Sequence, residues 1–335
     1  MNPTPRDVHI DSLLTNFSIG YVQRQTNYIA TQVFPMRPVD RQSDRYFKFN
    51  RADWFRDEAA PRAPATESVG SGYRYGRDRY ECTVFAFHKD VDDQTRANAD
   101  NPIDPDREAT EFVTQRMLMR LERDWASTYM NAANWTAPPG GSTWNWDDAN
   151  SLPWAGVEAI RGQMVGTTGF EPNTLVLGYG AWSLLKFHPA FRAVTAHTGQ
   201  ISAIPVTEQA VRDLFEVDRV FVSRAIWNKA SEIASDTTTG DDNADSDLDD
   251  PGTFDYIFPK NAALFAYVTS NPGPQQPTAG YTFAWRGVSD GAGLTVGTTR
   301  FRMPELRADR VESQMAWDFK VVAKDMGYYI PDVTV

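Results

Sequence analysis

The chain has 335 residues, with 33 Lys or Arg against 44 Asp or Glu, a formal net charge of -11 and one cysteine. A hydrophobic fraction of 41% and an aromatic fraction of 13% exclude a disordered or fibrous chain, and the acidic balance disfavours nonspecific nucleic-acid binding over the whole surface while leaving room for a local basic patch. Cys82 alone forms no internal disulfide, the opening MNPTPRDVHIDSLL lacks the regions of a secretory signal, and runs such as 262–268 are too short to cross a bilayer, so folding in a reducing compartment with no membrane partner is expected.

Residues 1–40 alternate short apolar groups, among them Leu13, Phe17, Tyr28, Ile29, Val33 and Phe34, with polar ones, and close on Pro35 and Pro38. That pattern is too apolar for a free tail and too irregular for a domain. It predicts an arm lying along its own body or a neighbouring subunit. Tyr46–Asn50 and Tyr80–His88 are rich in aromatic and β-branched residues and predict strands. The stretch between them holds Pro61, Pro64, Gly70, Gly72 and Gly76 without a helical or strand period, so an extended flap is expected, unstable alone in water.

From Arg37 to Arg79 there are ten Lys or Arg and seven Asp or Glu, which makes the flap locally positive. Exposed apolar groups among charges, here Trp54, Phe55 and Val69, mark a surface meant for a partner. Arg51, Trp54, Phe55, Arg56 and Arg62 are therefore the candidate intersubunit contacts, the plain alternative for the arginines being an ordinary solvated loop.

A long helix is predicted over Asp104–Asn131. Asp104 can cap it, Pro105 suits its first position, and Asp106, Glu108 and Glu111 favour the positive end of its dipole. Val113, Met117, Leu121 and Trp125 recur every four residues with Phe112, Leu118 and Tyr129 beside them, whereas Arg116, Arg120, Glu122, Arg123 and Asp124 fall mostly off that stripe. At 1.5 Å per residue, roughly 27 residues make a rod of about 40 Å. Something must cover its apolar side.

Residues 135–150 combine prolines and glycines with Trp144 and Trp146, an irregular loop pinned down by its tryptophans. Pro153 opens a helix to about Val165, ended by Gly166 and Gly169. Asn173–Leu177 reads as a strand, Tyr179–Phe187 and Glu208–Phe215 as helices, and Arg219–Ser223, Tyr256–Phe258 and Leu264–Val268 as strands, together a compact α/β unit. Residues 236–255 carry eight aspartates and no Lys or Arg, a surface loop. Asp241, Asn243 and Asp245 fit the first three ligand positions of an EF-hand, but Ser246 stands where glycine is needed and Gly252 where glutamate is needed, so the motif fails. From Val311 to Ala323 the alternation is strict, which predicts a long strand with one buried face, able to lie under the helix.

Enzyme constellations are absent. There is no Gly-x-Ser-x-Gly elbow, HExxH or P-loop; Gly291, Gly293 and Gly297 miss the dinucleotide spacing; His9, His88, His188 and His197 are scattered. No catalytic, cofactor-binding or metal residue can be named, and an enzyme is not expected.

The order of parts carries a resemblance. An arm ending in YIATQVFPMRPV, a basic two-stranded flap, DVDDQTRANAD leading to a long helix with RLERDWAS, PNTLVLGYGAWSLLKFHP, and a last strand near WDFKVVAKDMGYYI together resemble the major capsid protein of tailed bacteriophages over nearly the whole chain. The resemblance implies an α+β Hong Kong 97-like capsid fold. Its parts would be an N-terminal arm (1–40), an extended β-hairpin loop (41–90), a peripheral domain (91–150) with spine helix 104–131 and long β-strands, an α/β axial domain (151–295), and return strands of the peripheral domain (296–335). It further implies hexamers and pentamers closing into an icosahedral shell, procapsid and then mature head, around double-stranded DNA on the inner face. The protein would fold in a bacterial host cytoplasm and end in the virion. Because the sequence starts at the arm, a separate scaffolding protein or a processed form is expected, with a portal and a decoration protein as further partners. The alternatives are an encapsulin-like compartment shell, or a soluble carbohydrate-binding protein or enzyme using the tryptophans of 135–154.

Overall fold

The computed structural model describes residues 23–49, 51–99, 104–139, 144–197, 206–229, 253–273, 276–288 and 297–334. The chain enters through one helical turn, Ala30–Val33, and strand β1 (Met36–Val39). Strands β2 (Ser43–Phe49) and β3 (Tyr75–Glu81) pair antiparallel as the flap, with a single helical turn, Arg51–Trp54, at its tip. Then come β4 (Thr83–Asp92), the short helix α1 (Asp93–Asn98) and the long helix α2 (Pro105–Tyr129).

The α/β unit contains α3 (Pro153–Thr168), β5 (Thr174–Leu177), α4 (Tyr179–Phe187), α5 (Pro189–His197), α6 (Glu208–Phe215) and β6 (Arg219–Val222). Strands β7 (Ile226–Asn228) and β8 (Phe254–Tyr256) pair as a small ribbon, and β9 (Ala263–Ala266) follows. The chain then returns through β10 (Gly280–Trp285), β11 (Gly297–Met303), β12 (Ala308–Val321) and β13 (Gly327–Ile330).

Helix α2 starts where its sequence directs. The Asp104 carboxylate accepts from the N–H groups of Asp106 and Arg107, and Pro105 occupies the first turn, where a missing N–H costs nothing. Val113, Met117, Leu121, Trp125 and Tyr129 are buried along one face, against β4 and β12. β12 organises the larger sheet: it pairs antiparallel with β4, β10 and β11, and the arm's β1 adds parallel to β10. Its alternation holds, with Val311, Ser313, Met315, Trp317 and Phe319 buried.

The second sheet runs β13-β9-β5-β6. The last strand therefore joins the α/β sheet, through Gly327–Ile330 beside Ala263–Ala266, and not the layer under the long helix. One apolar core links the parts: Phe34 of the arm, Trp125 and Tyr129 of α2, Phe319 of β12 and Phe258 before β9 belong to it, and Trp125 stacks on Phe258 at 5.0 Å. Burying aromatic faces this way removes large apolar areas from water and fixes ring geometry.

Three local expectations change. Tyr80–His88 is not one strand: Cys82 separates β3 from β4, which go to different sheets. Helix α3 runs through Gly166 and stops at Gly169, whose φ of 75° supplies the left-handed cap that ends a helix. The ribbon strand is Phe254–Tyr256, because Phe258 turns inward and is buried.

Candidate functional site

The flap is seven paired positions long, Ser43 opposite Glu81 through Phe49 opposite Tyr75. Its base is welded to the body. The Cys82 N–H donates to the Gln42 carbonyl at 2.8 Å, the Gln42 side chain donates back to the Cys82 carbonyl at 3.1 Å, and the Glu81 N–H donates to the Asp318 carboxylate at 2.8 Å. Tyr80 stacks on Phe283 of β10 at 4.7 Å and Tyr46 lies 5.5 Å from the same ring. Burial pushes the Cys82 thiol up to about 12, so at neutral pH it is a packing group and not a nucleophile.

Away from the base the flap is a string of exposed rings. Phe47 packs on Tyr75 at 5.4 Å, Phe49 on Trp54 at 6.1 Å and Trp54 on Tyr73 at 5.3 Å, yet Trp54 and Phe55 keep 55% and 67% of their surface in solvent. A cleft of about 660 Å³ lies between this cluster and the body, with Phe170 and Met326 on the far wall.

The five residues singled out from the sequence thus divide. Arg51 reaches its own body, pairing with Asp325 at 2.9 Å. Arg56 pairs with Glu58 at 3.0 Å and Asp53 at 3.6 Å, and the Arg62 guanidinium donates to the Thr66 carbonyl. Asp53 also takes Arg74 at 3.1 Å, which holds its carboxyl below the usual range. The flap's charges are largely paired inside its own chain, and its aromatic side chains are what it offers outward.

One polar group on α2 escapes sequence reading. Glu122 is fully buried and its carboxylate accepts from the Ile29 N–H at 3.1 Å and the Ala30 N–H at 2.8 Å, closing the arm onto the helix. Gln115 supports the clasp: its side chain donates to the Gln23 carbonyl at 2.9 Å and accepts from the Tyr28 hydroxyl at 3.0 Å. Gln23 in turn bonds both the N–H and the carbonyl of Ile226, tying the arm to β7. The only sequence signal is that Glu122 adjoins the apolar stripe.

The enzyme and carbohydrate readings meet geometric obstacles. His188 lies 3.1 Å from the Ser151 hydroxyl, but its Nδ1 accepts from the Ala190 N–H, so its Nε2 carries the ring proton and cannot take one from Ser151. Of the tryptophans of 135–154, Trp135, Trp144 and Trp146 are buried and Trp154 is half-buried against Phe191 at 6.0 Å, so together they present no common stacking platform. Among the described residues no group of three or more His, Cys, Asp or Glu side chains could hold a metal ion, and no helix is long and apolar enough to cross a membrane. Residues 230–252, and with them most of the acidic stretch tested for calcium ligands, lie outside the described residues, as do His9 and much of the arm.

A helix-backed sheet, a rooted flap and a clasped arm around a shared core make up the fold seen in phage capsid proteins. The relatives say the same. The chain is 25% identical over 296 residues to the major capsid protein of Burkholderia phage BcepMu, covering 83% of this chain and 84% of that one. It is 26% identical over 235 residues to the major capsid protein of Pseudomonas phage JBD67, covering 66% and 70%. Among solved structures, a phage-related protein from Bordetella bronchiseptica RB50 superimposes with a TM-score of 0.65 at 21% identity, over 93% of this chain and 94% of that one. The mature capsid of bacteriophage PhiM1 gives 0.54 at 11% identity over 92% and 87%, and an encapsulin complex from Synechococcus elongatus PCC 7942 gives 0.53 at 11% over 99% and 96%. No protein-family model matches.

Proposed function

We propose that the chain is the major capsid protein of a tailed phage, closing as hexamers and pentamers into an icosahedral shell, procapsid and then mature head, around double-stranded DNA. The observation that carries this reading is a flap welded at its base and left with a ring cluster in solvent at its tip. Such a patch needs a neighbour, and heterologous contacts that close by symmetry make shells. Trp54 and Phe55 lead the intersubunit contacts. Arg51, Arg56 and Arg62 join them by exchanging in-chain partners for a neighbour's carboxylates, an inexpensive exchange because exposed pairs contribute about 0–1 kcal/mol each.

The arm, flap, peripheral and axial divisions form the tile, with the return strands split between the peripheral sheet and, through β13, the axial sheet. A scaffolding protein, a portal and a decoration protein are the expected partners, and the host cytoplasm is where the chain folds before entering the virion. An encapsulin-like shell has nearly the same fold similarity. The two relatives named as phage capsid proteins favour the phage reading.

Size-exclusion chromatography and negative-stain microscopy of the full chain test this. Shells are expected, and Trp54→Ser/Phe55→Ser should stop at small oligomers with an unchanged thermal melt. A monomer or dimer under every condition would sink the shell reading, and shells filled with protein in place of DNA during infection would favour the compartment.

A further inference from the structure

Helix α2 carries a second stripe, outside its buried core face. Phe112, Arg116, Arg120 and Arg123 fall on one exposed face at helical spacing, beside the core face and away from the arm clasp. Each guanidinium is laid on an aromatic ring: Arg116 at 4.9 Å from Phe112, Arg120 at 4.9 Å from Phe85 of β4, and Arg123 at 3.8 Å from Trp227 of β7. Lys89 of β4 joins them, 5.3 Å from the Phe112 ring. Arg120 has Asp124 as partner at 2.9 Å, whereas Lys89, Arg116 and Arg123 form no ion pair among the described residues.

In a chain of net charge -11 this sets three cations without an ion pair among the described residues, Lys89, Arg116 and Arg123, beside the Arg120–Asp124 pair on a rigid support. A guanidinium is planar by delocalisation, and cation–π attraction to a ring face uses none of its N–H donors, which suit phosphate oxygens. Along the helix the cations rise by about 6 Å and about 4.5 Å, a row that follows a sugar–phosphate backbone and reads no base.

We propose that the Lys89, Arg116, Arg120 and Arg123 stripe is a sequence-independent docking surface for the phosphate backbone of double-stranded DNA. It rests on the capsid reading only for the source of the DNA. Its recognition chemistry stands on the stripe itself.

The test is binding of a random-sequence 30-base-pair duplex to the full-length chain, by fluorescence anisotropy between 50 and 300 mM KCl. Each phosphate contact contributes about 0.9 to the slope of log K against log salt. Lys89→Gln/Arg116→Gln/Arg123→Gln should therefore flatten the slope by about 2.7, three contacts at that value, and weaken binding at low salt by roughly tenfold or more. Arg116→Lys/Arg123→Lys should keep the slope. Arg45→Gln/Arg77→Gln/Lys260→Gln, which removes the same net charge elsewhere, should leave it unchanged. A folded glutamine variant with the wild-type slope overturns the proposal. So does binding of a peptide spanning 236–255 to this stripe with the duplex excluded, because the partner would then be the acidic stretch of a second copy. If the glutamine variant does not fold, hydrogen exchange on the wild type decides: DNA must protect 85–91 and 112–127, and no protection overturns the assignment. Shells that form while the stripe stays unprotected sink this inference and leave the capsid reading standing.

Discussion

Glu122 holds a carboxylate out of water with only backbone N–H groups to answer it. Burial pushes it from 4.5 up to about 7, against the opposing pull of the Ala30 and Ile29 N–H donors. The folded value lies above the unfolded one, so this group's contribution to stability is complete below about 4.5 and is lost as pH rises through about 7. The wild type should lose on the order of 3 kcal/mol from this group across that window. Glu122→Gln removes the charge and keeps an acceptor, so its thermal unfolding should fall less than the wild type's between pH 5 and 8. Glu122→Ala strands both donors and leaves a cavity, and should cost about 2–4 kcal/mol at any pH. Identical melting profiles for wild type and glutamine would dispose of the idea.

At the scale of elements the flap joins the body through two short links, residues 40–42 before β2 and Cys82 after β3. Everything distal to Cys82 reaches the body through Phe283, the Asp318 contact, Arg51 and little else. Phe283→Ala should cost about 3–5 kcal/mol, as large buried-aromatic truncations do, and limited proteolysis should then cut within 55–74 before it cuts the body. Equal cutting of both would mean the flap is not separately anchored. The same element shows where sequence patterning reads well. Helix α2 and β12 were legible because each buries one face over many residues, so period and cap agree. The split at Cys82 was not: β3 and β4 form one continuous aromatic run, and they part because β3 pairs with the nearby β2 whereas β4 pairs with β12, more than two hundred residues away. Glu122 was invisible for the related reason that its partners are backbone N–H groups of the arm, which leave no mark in residue type. For the flap, composition revealed the aromatic surface but not that Asp53, Glu58 and Asp325 would pair its arginines.

Across the whole molecule, charge acts in opposite directions at two places. Where α1, α2, β11 and β12 meet, Arg96, Arg300 and Arg302 bind Asp93, Asp106 and Asp309 in a solvent-facing network. Arg300 above all holds the Asp309 carboxyl down to about 2. Its stabilisation is present above the usual carboxylate range and is lost as pH falls through about 2, the reverse of Glu122. Acid titration followed by circular dichroism should show Asp309→Asn losing less stability than the wild type between pH 4 and 2, and 1 M KCl should narrow the gap by screening. A gap indifferent to salt would assign the effect to packing.

The place of β12 has a consequence for the time course of synthesis. β4, β10 and β11 all pair with it, and β13 completes the other sheet, so neither sheet can close until Ala308–Ile330 has left the ribosome. At a translation rate of about 5–20 residues per second, β4 waits on the order of ten seconds or more with an open edge. Through that interval the nascent chain has no finished sheet to offer another copy, so the order of translation delays every contact that needs the completed fold.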